Sequence, residues 1–147
     1  MNNEVYLNHF IEAQNAQFDD ALKEIRLGKK QTHWMWFIFP IAGSLGKSNM
    51  AQYYGINSAD EARAFIIHPL LGSNFRECIE AMLNNKDKTA IDILGRINAW
   101  KFQASVTLFM NVATDAELNV NLKNCLSNFY SGRPCKSTIA LLPLAPD

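Results

Sequence analysis

The 147-residue chain lacks most of the features that assign a protein to a class at sight. It has three cysteines, Cys78, Cys125 and Cys135, and their odd number and wide spacing exclude a disulfide framework or a zinc knuckle. Neither sign of charge prevails. Fourteen basic residues balance fourteen acidic ones, so no net field draws nucleic acid or a membrane surface, and neither partner is expected. The longest apolar run, Trp34 to Phe39, is too short to span a bilayer. Met1-Asn2-Asn3-Glu4 has neither the basic region nor the apolar region of a signal peptide, so a cytoplasmic protein is expected. Three histidines, His9, His33 and His68, have no companions in ligand spacing, so no metal is expected. There is no nucleophile elbow and no Rossmann fingerprint, and nothing calls for a cofactor.

What is present is apolar and helical. A hydrophobic content of 48% suffices for one domain with a real core, spanning 1–147. Phe18, Ala21, Leu22 and Ile25 recur at i, i+3, i+4, i+7, which predicts a one-sided helix stopped by Gly28. Leu7, Phe10 and Ile11 suggest a separate shorter helix before it, with a break near Gln14-Asn15. Ser58-Ala59-Asp60-Glu61 fits a capping box, with a helix running to about His68 because Pro69 follows. Phe75, Cys78, Ile79, Met82 and Leu83 form another stripe, and Thr89 caps a short turn closed by Gly95. Residues 98–113 are apolar nearly all round, as expected of a central helix. Leu118, Leu122, Cys125, Leu126 and Phe129 make a further stripe, and Ser137 or Thr138 would cap a last turn. Cys78 and Cys125 fall on apolar faces, whereas Cys135, between Arg133 and Lys136, reads as an exposed loop thiol. The segment Trp34 to Phe39 has the aromatics of a buried strand but no partner strand, so it is read as a helix ended by Pro40. The expected architecture is all-α, a compact single-domain bundle of about six to eight helices with short loops.

Three constellations are candidates for chemistry. Four aromatics fall within six residues at Trp34–Phe39, directly after Lys29, Lys30 and His33. Lys30 and His33 would hold a phosphate or carboxylate while Trp34 or Trp36 stacks on a ring. The competing reading makes the lysines solvated and the aromatics core. Lys101 and Ser105 stand one turn apart on the otherwise apolar helix, where a lysine must snorkel, find an acid or reach a ligand. Ala42 to Ser48 ends in Gly46-Lys47-Ser48 like a phosphate-binding loop. The full pattern needs a glycine where Ile41 stands, as well as a preceding strand, so an NTPase is rejected. A small anion nest with Lys47 and Ser48, or a plain turn, is left.

Several blocks together resemble a bacterial family known as domain of unknown function 1810, sometimes mislabelled calpastatin. They are Phe10-Ile11-Glu12-Ala13-Gln14, Gly28-Lys29-Lys30, His33 through Pro40, Met50 through Ile56, Glu61 through Phe65, His68 through Gly72, Lys101 and Thr107-Leu108-Phe109. The resemblance covers nearly the whole chain and implies an all-α single domain without an established activity. The chain departs from that pattern at Ile41, where glutamine is usual, at Asn98 and Ala99, where acidic residues are usual, and at Cys135, where aspartate is usual. A looser similarity, in fold and composition, is to helical glycosidases acting on ADP-ribose-linked or phosphoribosyl substrates.

Two functions of different class follow. The first is binding or hydrolysis of a phosphate-bearing, nucleotide-like molecule related to ADP-ribose or NAD. Lys30, His33 and Lys47 would hold the anion; if the protein is an enzyme, Lys101 would trap the ribosyl carbon and Glu12 would act as acid or base in N-glycosidase-like hydrolysis. The alternative is a non-catalytic protein–protein interaction module using exposed aromatics of the Trp34–Phe39 block or the Leu141-Leu142-Pro143-Leu144 tail. The first requires Lys101 and His33 to meet; the second requires exposed tryptophan.

Overall fold

The computed structural model describes residues 3–144, with side chains from Leu7. Its elements are α1 (Asn3–Leu27), α2 (Met35–Ile38), a 3-10 turn (Gly43–Leu45), α3 (Asn49–Tyr53), α4 (Ala59–Ile67), α5 (Pro69–Asn84), α6 (Ala90–Leu94), α7 (Arg96–Val112), α8 (Ala116–Tyr130) and α9 (Lys136–Ile139). The chain is all-α, as the periodicity predicts. The nine helices among the described residues exceed the expected number because four of them, α2, α3, α6 and α9, span only four or five residues. Among the described residues no helix is long and apolar enough to cross a membrane.

Each helix begins and ends where local chemistry dictates. α1 closes in a Schellman motif: Gly28 N–H donates to Ile25 O at 2.9 Å and Lys29 N–H to Glu24 O at 3.0 Å. Gly28 supplies the positive φ of 78° that this closure needs, and a Cβ there would lie 2.7 Å from Lys88 Nζ. Ser58 caps α4 by accepting from Glu61 N–H at 3.0 Å. His68 caps α5, its Nδ1 accepting from Leu70 N–H at 3.1 Å, with Pro69 at the first helical position. Thr89 and Asp92 form a reciprocal capping box at α6, and Gly95 (φ 88°) turns the chain into α7.

One apolar core joins residues from Leu7 to Leu126, with Leu142 and Leu144 packed on its edge. α7 is the central helix, packed against α4, α6, α8 and α9, while α1 lies along α5. Phe39, Phe65, Phe75, Phe102 and Phe109 fill the centre in edge-on and tilted pairs with ring centroids 4.7 to 6.2 Å apart.

Three expectations are corrected. α1 does not break at Gln14-Asn15; it runs unbroken for 25 residues. Gln14 is buried on the inner face, where its Nε2 donates to Phe37 O at 2.7 Å and its Oε1 accepts from Asn74 Nδ2 at 2.8 Å. A polar residue interrupting an apolar stripe was a bridge to two other elements. The last turn is not capped by Ser137 or Thr138; Cys135 holds the N-cap position and Thr138 is fully buried inside α9. Cys135 is itself buried, packed with Ile41 and Ala104, and its N–H donates to Thr107 Oγ1 at 2.9 Å. In addition, the stretch after Pro40 makes a one-residue parallel bridge between Ala42 and Ile56, with Gly43 N–H to Ile56 O at 2.8 Å and Ile56 N–H to Ile41 O at 2.9 Å. That bridge ties off the excursion carrying the 3-10 turn and α3. Within it Gly55 must be glycine, because a Cβ would stand 2.5 Å from Gly43 Cα.

Gln14→Ala strands the Phe37 carbonyl and the Asn74 amide in the interior and is expected to destabilise the protein by about 2 to 3 kcal/mol. Asn15→Ala, on the exposed side of the same turn, stays within about 0.5 kcal/mol of wild type. Urea denaturation of both variants measures the contrast.

Candidate functional site

The loop from Gly28 to Trp34 is organised by one carboxylate. Glu24, near the end of α1, is buried, and its Oε1 accepts from Gln31 N–H at 2.6 Å, Thr32 N–H at 2.8 Å and Trp34 Nε1 at 3.0 Å; its Oε2 accepts from Thr32 Oγ1 at 2.6 Å. Burial by itself would raise its pKa, but the four hydrogen bonds outweigh burial and hold it at about 2. From the other side Lys30 N–H donates to Ile93 O at 2.7 Å and Lys88 Nζ to Gly28 O at 3.2 Å. The loop is thus fixed against α1 and α6, which sets where its side chains project.

Lys30 is half-buried. Its ammonium lies 5.1 Å from the Trp34 ring centroid and donates to Thr32 O. Burial lowers its pKa, the Glu24 carboxylate opposes that, and the charge of Lys101 lowers it by a smaller amount. Lys101, from α7, places its ammonium 5.8 Å from the Trp36 ring centroid. His33, exposed, has its ring 6.4 Å from Trp36. Trp36 is therefore the common neighbour of His33 and Lys101. Its own Nε1 is buried without a hydrogen-bond partner among the described residues. Beside it runs a crevice of about 10 Å³, walled by Trp36, Phe39, Ile41, Lys101, Tyr54 and Gly55, with room for about one water. Tyr54 is one of its walls. It stacks on His9 at 5.5 Å and packs on Phe37 at 5.4 Å, and its hydroxyl pKa is raised by burial, then by Tyr53 and Glu12. Neither Lys30 nor Lys101 is ion-paired; among the described residues the ion pairs are Arg63–Asp60 and Arg76–Asp115.

The remaining candidates lie elsewhere. Trp34 has no exposed surface, and its indole N–H is spent on Glu24, so it offers no face to a ligand ring. Ser48 caps α3, its Oγ accepting from Ala51 N–H at 3.1 Å, and Lys47 beside it is exposed and does not line the crevice. Ser105 is fully buried one turn below Lys101, with its hydroxyl unpartnered among the described residues. Glu12 lies in a separate shallow depression with Asn8, His9 and Tyr53, accepting from Asn8 Nδ2 at 3.1 Å. The sequence reading missed Glu24 and Tyr54. Glu24 sits four residues before Gly28, and nothing in a helical stripe marks an acid that folds back on the next loop. Tyr54 lay inside a quoted block but in no periodic pattern.

A family model described as "Protein of unknown function (DUF1810)" matches residues 4–142. The chain belongs to the DUF1810 family. Among solved structures, the crystal structure of the conserved hypothetical protein Rv1873 from Mycobacterium tuberculosis is similar to it, with 34% sequence identity and a TM-score of 0.89 over 95% of this chain and 97% of that one. No curated protein matches the chain. Ile41 and Cys135, two positions where the resemblance implies polar residues, belong to one small apolar cluster with Ala104.

Because Glu24 is depressed from its ordinary value of 4.5 to about 2, its contribution to stability is complete above pH 4.5 and is lost as the pH falls towards 2. The loss amounts to about 3 kcal/mol. Glu24→Gln is expected to start less stable at pH 7 and to lose correspondingly less between pH 5 and pH 2.5, as read by denaturant midpoints at each pH.

Proposed function

We propose that this DUF1810 protein binds a small, phosphate-bearing, nucleotide-like molecule of the ADP-ribose or NAD class at the edge formed by Lys30, His33, Trp36 and Lys101. The observation that carries the reading is the convergence on Trp36, where the Lys101 ammonium lies 5.8 Å and the His33 ring 6.4 Å from its ring, with Lys30 over the adjacent Trp34. Lys101 has no ion-pair partner among the described residues, and a phosphate would supply one. Trp36 supplies the apolar surface for a ring, and the unpartnered indole N–H is a donor waiting for an acceptor. The crevice beneath is too small for a base, so the ring lies on the rim between Trp36 and Tyr54, with the phosphate across Lys30 and Lys101.

An N-glycosidic cleavage would need Lys101 and Glu12 on the same reacting centre. Glu12 lines the depression with His9 and Tyr53 and its charge reaches the Tyr54 hydroxyl, so binding is the part of the reading that Lys30, His33, Trp36 and Lys101 support by themselves. The protein-interaction alternative receives less support, since Trp34 is buried, Trp36 is only partly exposed, and Leu142 and Leu144 pack against the core.

ADP-ribose at about 100 times its dissociation constant is expected to stabilise wild type by roughly 2.7 kcal/mol, seen as a rise in Tm. Adenosine, with the same base and no phosphate, should give a far smaller shift, and Lys101→Gln and Lys30→Gln should each remove most of the ADP-ribose effect. Equal shifts for adenosine and ADP-ribose, or an undiminished shift in Lys101→Gln, would rule the reading out.

A further inference from the structure

We infer that the site does not end at Lys101 but continues over α7 into a second recess, and that its ligand class is a dinucleotide, with two aromatic rings joined through phosphates. The inference rests on the binding reading above. The second recess is a groove of about 460 Å³ between α7 and the α8–α9 loop, and its principal walls are Trp100, Phe129, Tyr130, Arg133, Lys136 and Ser137. That volume suits a ring and a phosphate. No carboxylate lines it, and Arg133 and Lys136 are exposed and unpaired among the described residues, so the groove prefers an anion. Trp100 is 39% exposed, which is much for a tryptophan on the central helix, and it offers a second stacking shelf.

The groove is held in shape before any ligand arrives. Tyr130 Oη donates to Ala99 O at 2.5 Å, Gln103 Nε2 to Arg133 O at 2.9 Å, and Cys135 N–H to Thr107 Oγ1 at 2.9 Å. Three bonds to successive turns of α7 thus fix a loop whose first residue, Ser131, adopts a left-handed φ of 55°, unusual for a residue with a side chain.

The two recesses are neighbours. Trp100 and Lys101 are consecutive on α7, one lining each. Ile41 walls the crevice and Cys135 walls the groove, and both pack into the same small cluster with Ala104. An apolar partition separates an aromatic shelf with two lysines from an aromatic shelf with an arginine and a lysine. Each half carries a flat indole and cations without an ion-pair partner among the described residues. One molecule carrying a ring at each end and phosphates between uses both halves at once, and the second half then binds at high effective concentration.

Titration calorimetry on the intact protein with NAD and with AMP tests this. NAD should bind wild type at least about tenfold more tightly than AMP, because only NAD occupies both halves. Trp100→Ala/Arg133→Gln should abolish that advantage while leaving AMP binding at the Lys101 edge unchanged, and Lys101→Gln should weaken both ligands. Should Trp100→Ala unfold the chain, Arg133→Gln/Lys136→Gln, at two exposed positions, gives the same readout. NAD affinity unchanged in the groove variant, or no advantage of NAD over AMP in wild type, overturns the two-recess site and leaves the Lys101 edge standing. AMP binding lost in the groove variant but kept in Lys101→Gln would place the ligand in the groove alone and overturn both readings. Wild type binding neither ligand would do the same.

Discussion

The buried carboxylate of Glu24 is the interaction on which the arrangement of the candidate site depends. A helix end must satisfy its last carbonyls, and the chain leaving it must satisfy its own N–H groups before the next element starts. Here the Schellman closure at Gly28 performs the first task and Glu24 the second, accepting from two backbone N–H groups, one hydroxyl and one indole. The indole is that of Trp34, which is thereby drawn fully inside. With Trp34 committed inward, Lys30 lies over its face and α2 presents Trp36 outward toward Lys101. One charge thus fixes the loop that carries Lys30 and draws Trp34 inside, while Trp36 stays half-buried beside Lys101 of α7.

This sorting bears on what the sequence could show. Helices with clean stripes were legible because burial of one face is a periodic demand, and caps such as Ser58, Thr89 and Gly95 were legible because their chemistry is local. The continuity of α1 was not, because Gln14 satisfies its amide with Phe37 and Asn74, at separations of 23 and 60 residues. Cys135 was misread for a similar reason. Flanked by cations, it looks like a surface thiol, but its environment is set by Ile41 and Ala104, remote in sequence. Of the candidate site, the block carrying Lys30, His33 and Trp36 was legible as a concentration of aromatic and cationic groups. Its relation to Lys101 was a guess about distance, and the division of labour between Trp34 and Trp36 needed Glu24, which no spacing rule singles out.

The family membership adds a comparison within the chain itself. The resemblance implies a glutamine at 41, acids at 98 and 99 and an aspartate at 135; this chain has Ile41, Asn98, Ala99 and Cys135. Ile41 and Cys135 pack together with Ala104, so a polar side chain at either position would be buried among apolar neighbours unless it found a partner there.

The two positions on α7 where the resemblance implies acids lie within the turn before Lys101. Asn98 donates to Leu94 O at 3.2 Å, and Ala99 offers its carbonyl to Tyr130 Oη, so neither brings a carboxylate to the lysine. Lys101's ammonium instead lies against the Trp36 ring. With no ion-pair partner among the described residues and a fully buried Ser105 one turn away, it is the cation that α7 brings to the wall of the crevice.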